Sequence, residues 1–134
     1  MINSSAKDIA ILLQDELELE FSKDLFVGRE PATVCPCVTI FDTPGSPPML
    51  ALTGENYEYP SIQIRVRHSS YELGYHLINE IENTLHGRAL IDMEDFLYTL
   101  IQSVGSPQML DWDENNRVRF IVNFEIQRKR KEAS

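Results

Sequence analysis

The sequence predicts an α+β fold: a single domain in which a mainly antiparallel sheet carries two helices on one face. Three observations support this prediction. The length of 134 residues suits one domain. Two segments repeat apolar residues at helical spacing, and six others have the alternation or the β-branched residues of strands. Their order, αβββαβββ, contains no internal repeat or linker, so the predicted domain covers residues 1–134, with 128–134 as a flexible basic tail.

The first helix is predicted close to the N-terminus. Ser4 or Ser5 can cap it, because a serine hydroxyl accepts a hydrogen bond from the first turn. Asp8 then lies where a negative charge favours the helix dipole. An apolar stripe at helical spacing carries the helix to about Leu19.

Two strands follow the first helix. Leu25–Val27 is predicted as a short strand, and 33–41 as a longer one. Pro36 cannot donate to a sheet ladder, so the longer strand is either at an edge or bulged. Cys35 and Cys37 flank this proline and are too close in sequence for a relaxed disulfide, so both are predicted as buried, inert thiols.

The central unit is a strand that turns directly into a helix. Its apolar and polar residues alternate with period two: Ile62, Ile64 and Val66 against Gln63, Arg65 and Arg67. Ser69 and Glu72 have the spacing of a capping box, which predicts that the helix begins there. Gly87 is placed where a helix end favours a left-handed residue.

The C-terminal half is predicted as a connector and three strands: 89–93, then 96–102, 109–113 and 117–127. Alternation in the first of these strands predicts Phe96, Tyr98 and Leu100 on one face. The last two strands are predicted to pair across the polar turn 113–116, where asparagine tolerates a positive φ.

Charge and composition exclude several classes of protein. The formal net charge of −9 disfavours a dedicated nucleic-acid binder, because phosphates repel such a surface. No segment resembles a signal peptide or a membrane span, which predicts a cytoplasmic protein without a membrane partner. The first helix is acidic and the end of the chain is basic. These charges are either solvated faces and a tail, or complementary surfaces of neighbouring subunits.

The sequence offers little catalytic chemistry. It contains no glycine-rich phosphate loop, no nucleophile elbow and no zinc-binding His-Glu-x-x-His motif. Glu72, His76 and Glu80 share one helix face at metal-ligand spacing, but further polar residues around them make a solvated face the simpler interpretation. We therefore expect no enzymatic activity, no metal and no cofactor.

Two features predict contacts with other chains. The apolar arc of the second helix covers close to half its circumference, so it either packs as a broad core helix or reaches a subunit interface at its margin. The residues predicted for that interface are Tyr71, Tyr75, Arg65, Arg67, Arg117 and Arg119. The long connection 42–56 either packs locally or contacts another chain. Its candidate contact residues are Thr43, Pro44, Met49, Leu50 and Leu52.

A family resemblance adds an expectation about function. The stretch Tyr59-Pro-Ser-Ile-Gln-Ile-Arg-Val-Arg67, followed by Tyr71, Gly74-Tyr75, Asn79-Glu-Ile81 and Leu85-His-Gly87, resembles the phage minor capsid family that includes tail terminator, or tail-completion, proteins. The Cys-Pro-Cys stretch and the proline-rich connection depart from its pattern. The resemblance implies a virion protein of the tail or neck, assembled in the host cytoplasm. It also implies a ring of six subunits that caps the tail tube and docks the head connector. The residues of the long connection expected to contact the tube or the connector are Thr43, Pro44, Met49, Leu50 and Leu52.

Two alternatives stay open from the sequence alone. The chain could be a head-completion or neck protein of the same structural class. It could also be a small module that binds nucleic acid or another anion through Arg65, Arg67, Arg117 and Arg119.

Overall fold

The fold consists of two helices and seven strands within the residues that the structure, a computed structural model, describes: 2–47 and 57–131. In chain order these are α1 (Ser5–Leu17), β1 (Leu25–Val27), β2 (Cys37–Ser46), β3 (Tyr57–His68), α2 (Tyr71–Leu85), β4 (Ile91–Asp92), β5 (Phe96–Ser103), β6 (Gln108–Trp112) and β7 (Val118–Arg130). The predicted α+β class is confirmed. The short strand β4 lies inside the predicted connector.

The strands form one sheet in the order β1-β2-β3-β7-β5-β4, with β6 also paired to β7. All pairings between these strands are antiparallel except that of β1 with β2. The last strand is long enough to pair with two neighbours on the same side. Its C-terminal part pairs with β5 and its N-terminal part with β6. Consequently β6 lies at an edge of the sheet.

The hydrophobic core lies on one face of this sheet. The residues of β3 predicted to face inward are fully buried, opposite alternate residues of β7: Ile62, Ile64 and Val66 against Phe124, Val122 and Phe120. Both helices bury residues in the same cluster, among them Ile9 and Leu13 of α1, and Ile78 and Ile81 of α2. Both helices therefore pack on one face, as predicted.

The two helix starts differ in how well the sequence predicts them. Ser4 caps α1, with its hydroxyl accepting from the Lys7 N–H at 3.2 Å. The predicted capping box of α2 is wrong, because Ser70 is the cap and accepts from the Leu73 N–H at 3.2 Å. The ring of His68 holds Ser70 extended by accepting its N–H at 2.9 Å, so the helix starts one residue later.

The ends of the helices follow simple rules. Burial lowers the pKa of His68, which favours its neutral ring, and the hydrogen bond from the Ser70 N–H at the start of α2 requires Nδ1 to be the nitrogen without a proton. At the other end of α2, Gly87 has the predicted positive φ, at +79°. The first helix ends two residues before the predicted position, where Glu18 adopts a left-handed conformation.

The second strand begins later than predicted, at Cys37 rather than residue 33. The carbonyl oxygens of Pro31 and Val34 accept from the Arg67 guanidinium at 2.5 and 2.7 Å, so this stretch is held by a side chain and not by a strand. The prediction that Cys35 lies in the strand and is buried is therefore wrong, since it is half-buried. Cys37 is buried, and burial raises the pKa of its thiol, in keeping with an inert role.

The same strand also continues further than predicted. Thr43 and Pro44, predicted in a loop, belong to β2, which has an irregularity between Thr43 and Ser46. A Cβ atom on Gly45 would lie 2.1 Å from the Tyr59 carbonyl oxygen, so this close approach of two backbones requires glycine. Met49, Leu50 and Leu52 lie outside the described residues.

Two corrections concern the last strands. The register of β5 against β7 shifts between Tyr98 and Leu100, so Ile101 is buried with Phe96 and Tyr98 while Leu100 is exposed. The prediction that Leu100 shares their face is wrong for that reason. Residues 128–130 are part of β7 and not of a tail. No helix in the described ranges is long and apolar enough to span a membrane.

Candidate subunit interface

An exposed apolar patch joins α2 to the edge strand β6. It consists of two residues from each element, each 44–49% exposed: Tyr71, Tyr75, Met109 and Trp112. Met109 and Trp112 lie opposite Phe120 and Val118, two buried residues of β7, so their side chains share the helix face of the sheet. We call these four residues the apolar patch. Large apolar side chains exposed side by side mark a candidate site of interaction with another chain.

The tyrosines are held in place by their packing on Phe120. The ring centroids of Tyr71 and Tyr75 lie 5.2 and 5.6 Å from that of Phe120, in edge-to-face geometry. Gly74 makes this possible, because a Cβ there would lie 3.0 Å from the His68 Cβ and 3.1 Å from the Phe120 ring. The helix thus approaches the sheet closely, and each tyrosine covers Phe120 while part of its own surface stays exposed.

The burial of the α2 residues decides between the two interpretations of its broad apolar arc. The core takes only a narrow stripe of the helix: Gly74, Ile78, Ile81 and Leu85. Tyr71, Leu73 and Tyr75, at the margins of the arc, are exposed by 44–59%. The alternative of a broad core helix therefore fails, since the single chain does not cover these residues.

The edge strand β6 supplies the other half of the patch. All five of its residues are exposed, and in the described part of the chain it pairs with β7 alone. Its register shifts between Met109 and Asp111, which leaves Leu110 as an extra, exposed residue. An exposed edge rich in large apolar residues favours association with another chain.

Three of the predicted arginines meet on the opposite face of the sheet, beside β6. The Glu30 Oε1 accepts from Arg67 at 3.1 Å and from Arg119 at 2.9 Å. Arg119 also donates to Asp111 at 3.0 Å. Although burial alone would lower it, the hydrogen bonds to Asp111 and Glu30 raise the pKa of Arg119. Arg117 donates to Asp113 at 2.7 Å.

These ion pairs argue against an anion-binding face. Three guanidinium groups are matched by three carboxylates, so the cluster lacks the excess positive charge that phosphate binding needs. Arg65 lies apart, over the Phe41 ring at 5.1 Å and donating to Gln63 at 3.2 Å. Among the described residues, no three histidine, cysteine or acidic side chains are grouped so that they could hold a metal ion.

One known protein family matches the chain over most of its length. Residues 12–130 match the family described as bacteriophage tail terminator protein. The chain belongs to that family. No curated protein matches the sequence. A tail terminator is a structural protein of the phage tail, so the resemblance predicted from the sequence is confirmed and the chain is a virion component.

A solved structure supports the fold of this tail terminator. A chain from the "Virion of native gene transfer agent (GTA) particle" is 8% identical and superposes with a TM-score of 0.66. The alignment covers 96% of the tail terminator and 99% of that chain. At this identity the likeness establishes the shared fold and nothing finer.

The predicted interface residues of the tail terminator occupy four environments, of which Arg65, over the Phe41 ring, is one. Tyr71 and Tyr75 belong to the apolar patch. Arg117 and Arg119 flank β6 from the opposite face, whereas Arg67 is 2% exposed and ties residues 30–34 to the sheet. Their role in subunit contacts stays a prediction. The sequence does not single out Met109 and Trp112, because an apolar strand has the same pattern at an edge as in a core.

Proposed function

We propose that this tail terminator assembles into a closed ring of six subunits that caps the tail tube, ends its growth and offers a docking surface to the head connector. The apolar patch carries the proposal, because a single chain leaves nearly half of each of its four large side chains in water. Family membership supports the role at the tail end. The ring and its number of subunits are what the experiment below tests.

A closed ring explains how such a protein could stop tube growth. A head-to-tail interface that closes on itself has a fixed number of subunits, so the assembly presents one complete surface to the last tube layer. No chemical step is needed for this role, and we propose that the protein acts by binding alone. Thr43 and Pro44, near the end of β2, are proposed to face the tube or the connector.

The substitution Tyr75→Asp tests the patch directly. A carboxylate placed among apolar side chains must lose water when the interface forms, so ring formation should weaken at least tenfold in protein concentration. Native mass spectrometry and a sizing column measure the ring, and circular dichroism measures whether the monomer stays folded. The matched control is Leu90→Asp, since Leu90 is 72% exposed outside the patch. An unchanged ring in Tyr75→Asp would contradict the proposal.

A further inference from the structure

A groove of about 450 Å³ lies beside the apolar patch, between residues 30–32 and the hairpin formed by β6 and β7. Trp112 belongs to the patch and also lines the groove, so the two surfaces meet at the edge strand β6. A neighbouring subunit that covers the patch therefore also reaches the groove.

The charges that line this groove leave one carboxylate unmatched. Its three arginines pair with three carboxylates of the same chain. Glu114, in the turn between β6 and β7, is a fourth carboxylate. It is exposed and has no ion pair within the described part of the chain. We call this surface the acidic groove.

Glu30, which lines the same groove, gives a second indication of a missing donor. Its Oε1 accepts from two arginines, whereas its Oε2 is buried and has no hydrogen-bond partner among the described residues. Buried carboxylate oxygens usually have a donor. The groove therefore favours a cationic side chain from another molecule, which donates hydrogen bonds and carries the opposite charge.

The opposite end of β7 carries the matching charge. The last four residues of the described chain are basic. Arg128 pairs with Glu58 at 2.9 Å, and Lys131 pairs with Asp92. Arg130 is exposed and forms no ion pair with a described residue, so its guanidinium is available to another chain.

Arg130 cannot reach the acidic groove of its own chain. The 13 residues of β7 separate the two, and a strand of that length spans about 40 Å. An arginine side chain covers only a small part of this distance. If Arg130 pairs with Glu114, the two residues must belong to different chains.

We infer that, in the ring, Arg130 of each subunit binds in the acidic groove of its neighbour and pairs with Glu114. The inference rests on the proposed ring. Because donor and acceptor lie at opposite ends of one strand, the contact is head-to-tail, which is the arrangement that can close a ring. Arg29 is also exposed, but it adjoins Glu30 at the groove's own end and would join like ends of two chains.

Charge reversal tests the pair. Arg130→Glu and Glu114→Arg each place like charges in the contact, so each variant should need roughly tenfold more protein to form the ring. The double variant restores an opposite pair and should assemble at the protein concentration of the wild-type chain. Lys23→Glu is the matched control for net charge. It changes an exposed side chain beside β1, at the other edge of the sheet, and should leave the ring unchanged.

An equimolar mixture of the two single variants gives a sharper test. In a ring where they alternate, every contact pairs opposite charges, so the mixture should form rings at a concentration where neither variant does alone. Native mass spectrometry should then find equal numbers of the two variants in each ring.

Cross-linking tests the proximity of the two residues independently of charge. Chains carrying Arg130→Cys are mixed with chains carrying Glu114→Cys under mild oxidation, and we expect a disulfide-linked dimer of the two. Arg130→Cys mixed with Lys23→Cys is the matched control and should give none. Circular dichroism checks that the variants, which change exposed side chains, stay folded.

The outcomes separate this inference from the proposed function. A wild-type chain that stays monomeric overturns the ring and the inference together. A wild-type ring that tolerates both single reversals overturns the inference alone, as does a ring that neither the double variant nor the mixture restores. Absence of the cross-link between Arg130→Cys and Glu114→Cys in an intact ring would likewise overturn it.

Discussion

At the scale of single residues, the buried charges have a larger structural role than the exposed ones. Arg65 and Arg67 alternate with the same apolar residues, yet only Arg67 is buried, since residues 30–34 fold over it. Its guanidinium joins Glu30 and the backbone carbonyls of Pro31 and Val34, so it holds the segment before β2 against the sheet. Arg67 therefore has a structural role, although it lies on the polar face of β3.

We expect Arg67→Met to lower the free energy of unfolding by about 3 kcal/mol, because it leaves buried acceptors without donors. Arg119 still pairs with Glu30, which keeps the loss at the lower end of the range for a broken buried ion pair. Arg65→Met is the matched control and should lower it by about 1 kcal/mol or less. Urea denaturation measures both, and equal losses would contradict the scaffolding role.

Tyr98 provides a second residue-scale prediction, through pH. Its hydroxyl donates to the buried Asp8 at 2.6 Å, and burial together with this hydrogen bond raises the pKa of Tyr98 above its ordinary value of 10.0. The folded chain therefore keeps the phenol protonated where the unfolded chain ionises it. The stabilisation is complete below about pH 10 and is lost as the pH rises above that value.

We expect Tyr98→Phe to cost about 2 kcal/mol at neutral pH, because Asp8 loses a donor. The variant should also lose less stability than the wild-type chain between pH 10 and 12. There, one such phenol changes the free energy of unfolding by about 1.4 kcal/mol per pH unit. Denaturation at several pH values gives both slopes. Parallel slopes would show that Tyr98 does not control the alkaline loss.

At the scale of elements, the junction between β3 and α2 shows how one side chain sets a boundary. The sequence offers two adjacent serines as caps, and local pattern favours Ser69 because Glu72 completes a capping box. The His68 ring accepts the Ser70 N–H and holds that residue extended, so Ser70 becomes the cap. Glu72 then lies within the first turn, where it still favours the helix dipole.

The two serines allow a matched test of the cap. We expect Ser70→Ala to lower the free energy of unfolding by about 1 kcal/mol, because the Leu73 N–H loses its acceptor. Ser69→Ala removes an exposed hydroxyl and should change it by less than about 0.5 kcal/mol. Thermal denaturation of the two variants compares them. A larger loss in Ser69→Ala would mean that Ser69 caps the helix, as the capping box predicts.

At the scale of the whole molecule, charge and apolar surface have different roles in assembly. The chain has a net charge of −9, so subunits repel one another at long range. The arginines beside β6 already pair within the chain, which leaves them little to offer a neighbour. Burial of the apolar patch is therefore proposed to drive association, with charge setting the orientation of the subunits.

We expect the ring to persist, or to form at lower protein concentration, as sodium chloride is raised from about 0.15 M to about 1 M. Screening shortens the reach of exposed charges from about 8 to about 3 Å over this range and leaves apolar burial intact. Analytical ultracentrifugation at several salt concentrations measures the ring. Dissociation into monomers at high salt would mean that ion pairs hold the subunits together.

The sequence by itself determined the α+β class, the buried residues of β3 and β7, and the family. These features follow from periodicity and local motifs, which depend only on residues close together in the chain. Only the tertiary structure decided which polar residues are buried, as with Arg67, and where α2 begins. It also decided that Met109 and the two tyrosines lie beside Phe120, with Trp112 opposite the neighbouring Val118. The physical reason is that exposure depends on which strand occupies the edge of the sheet, and pairing between distant segments determines that edge.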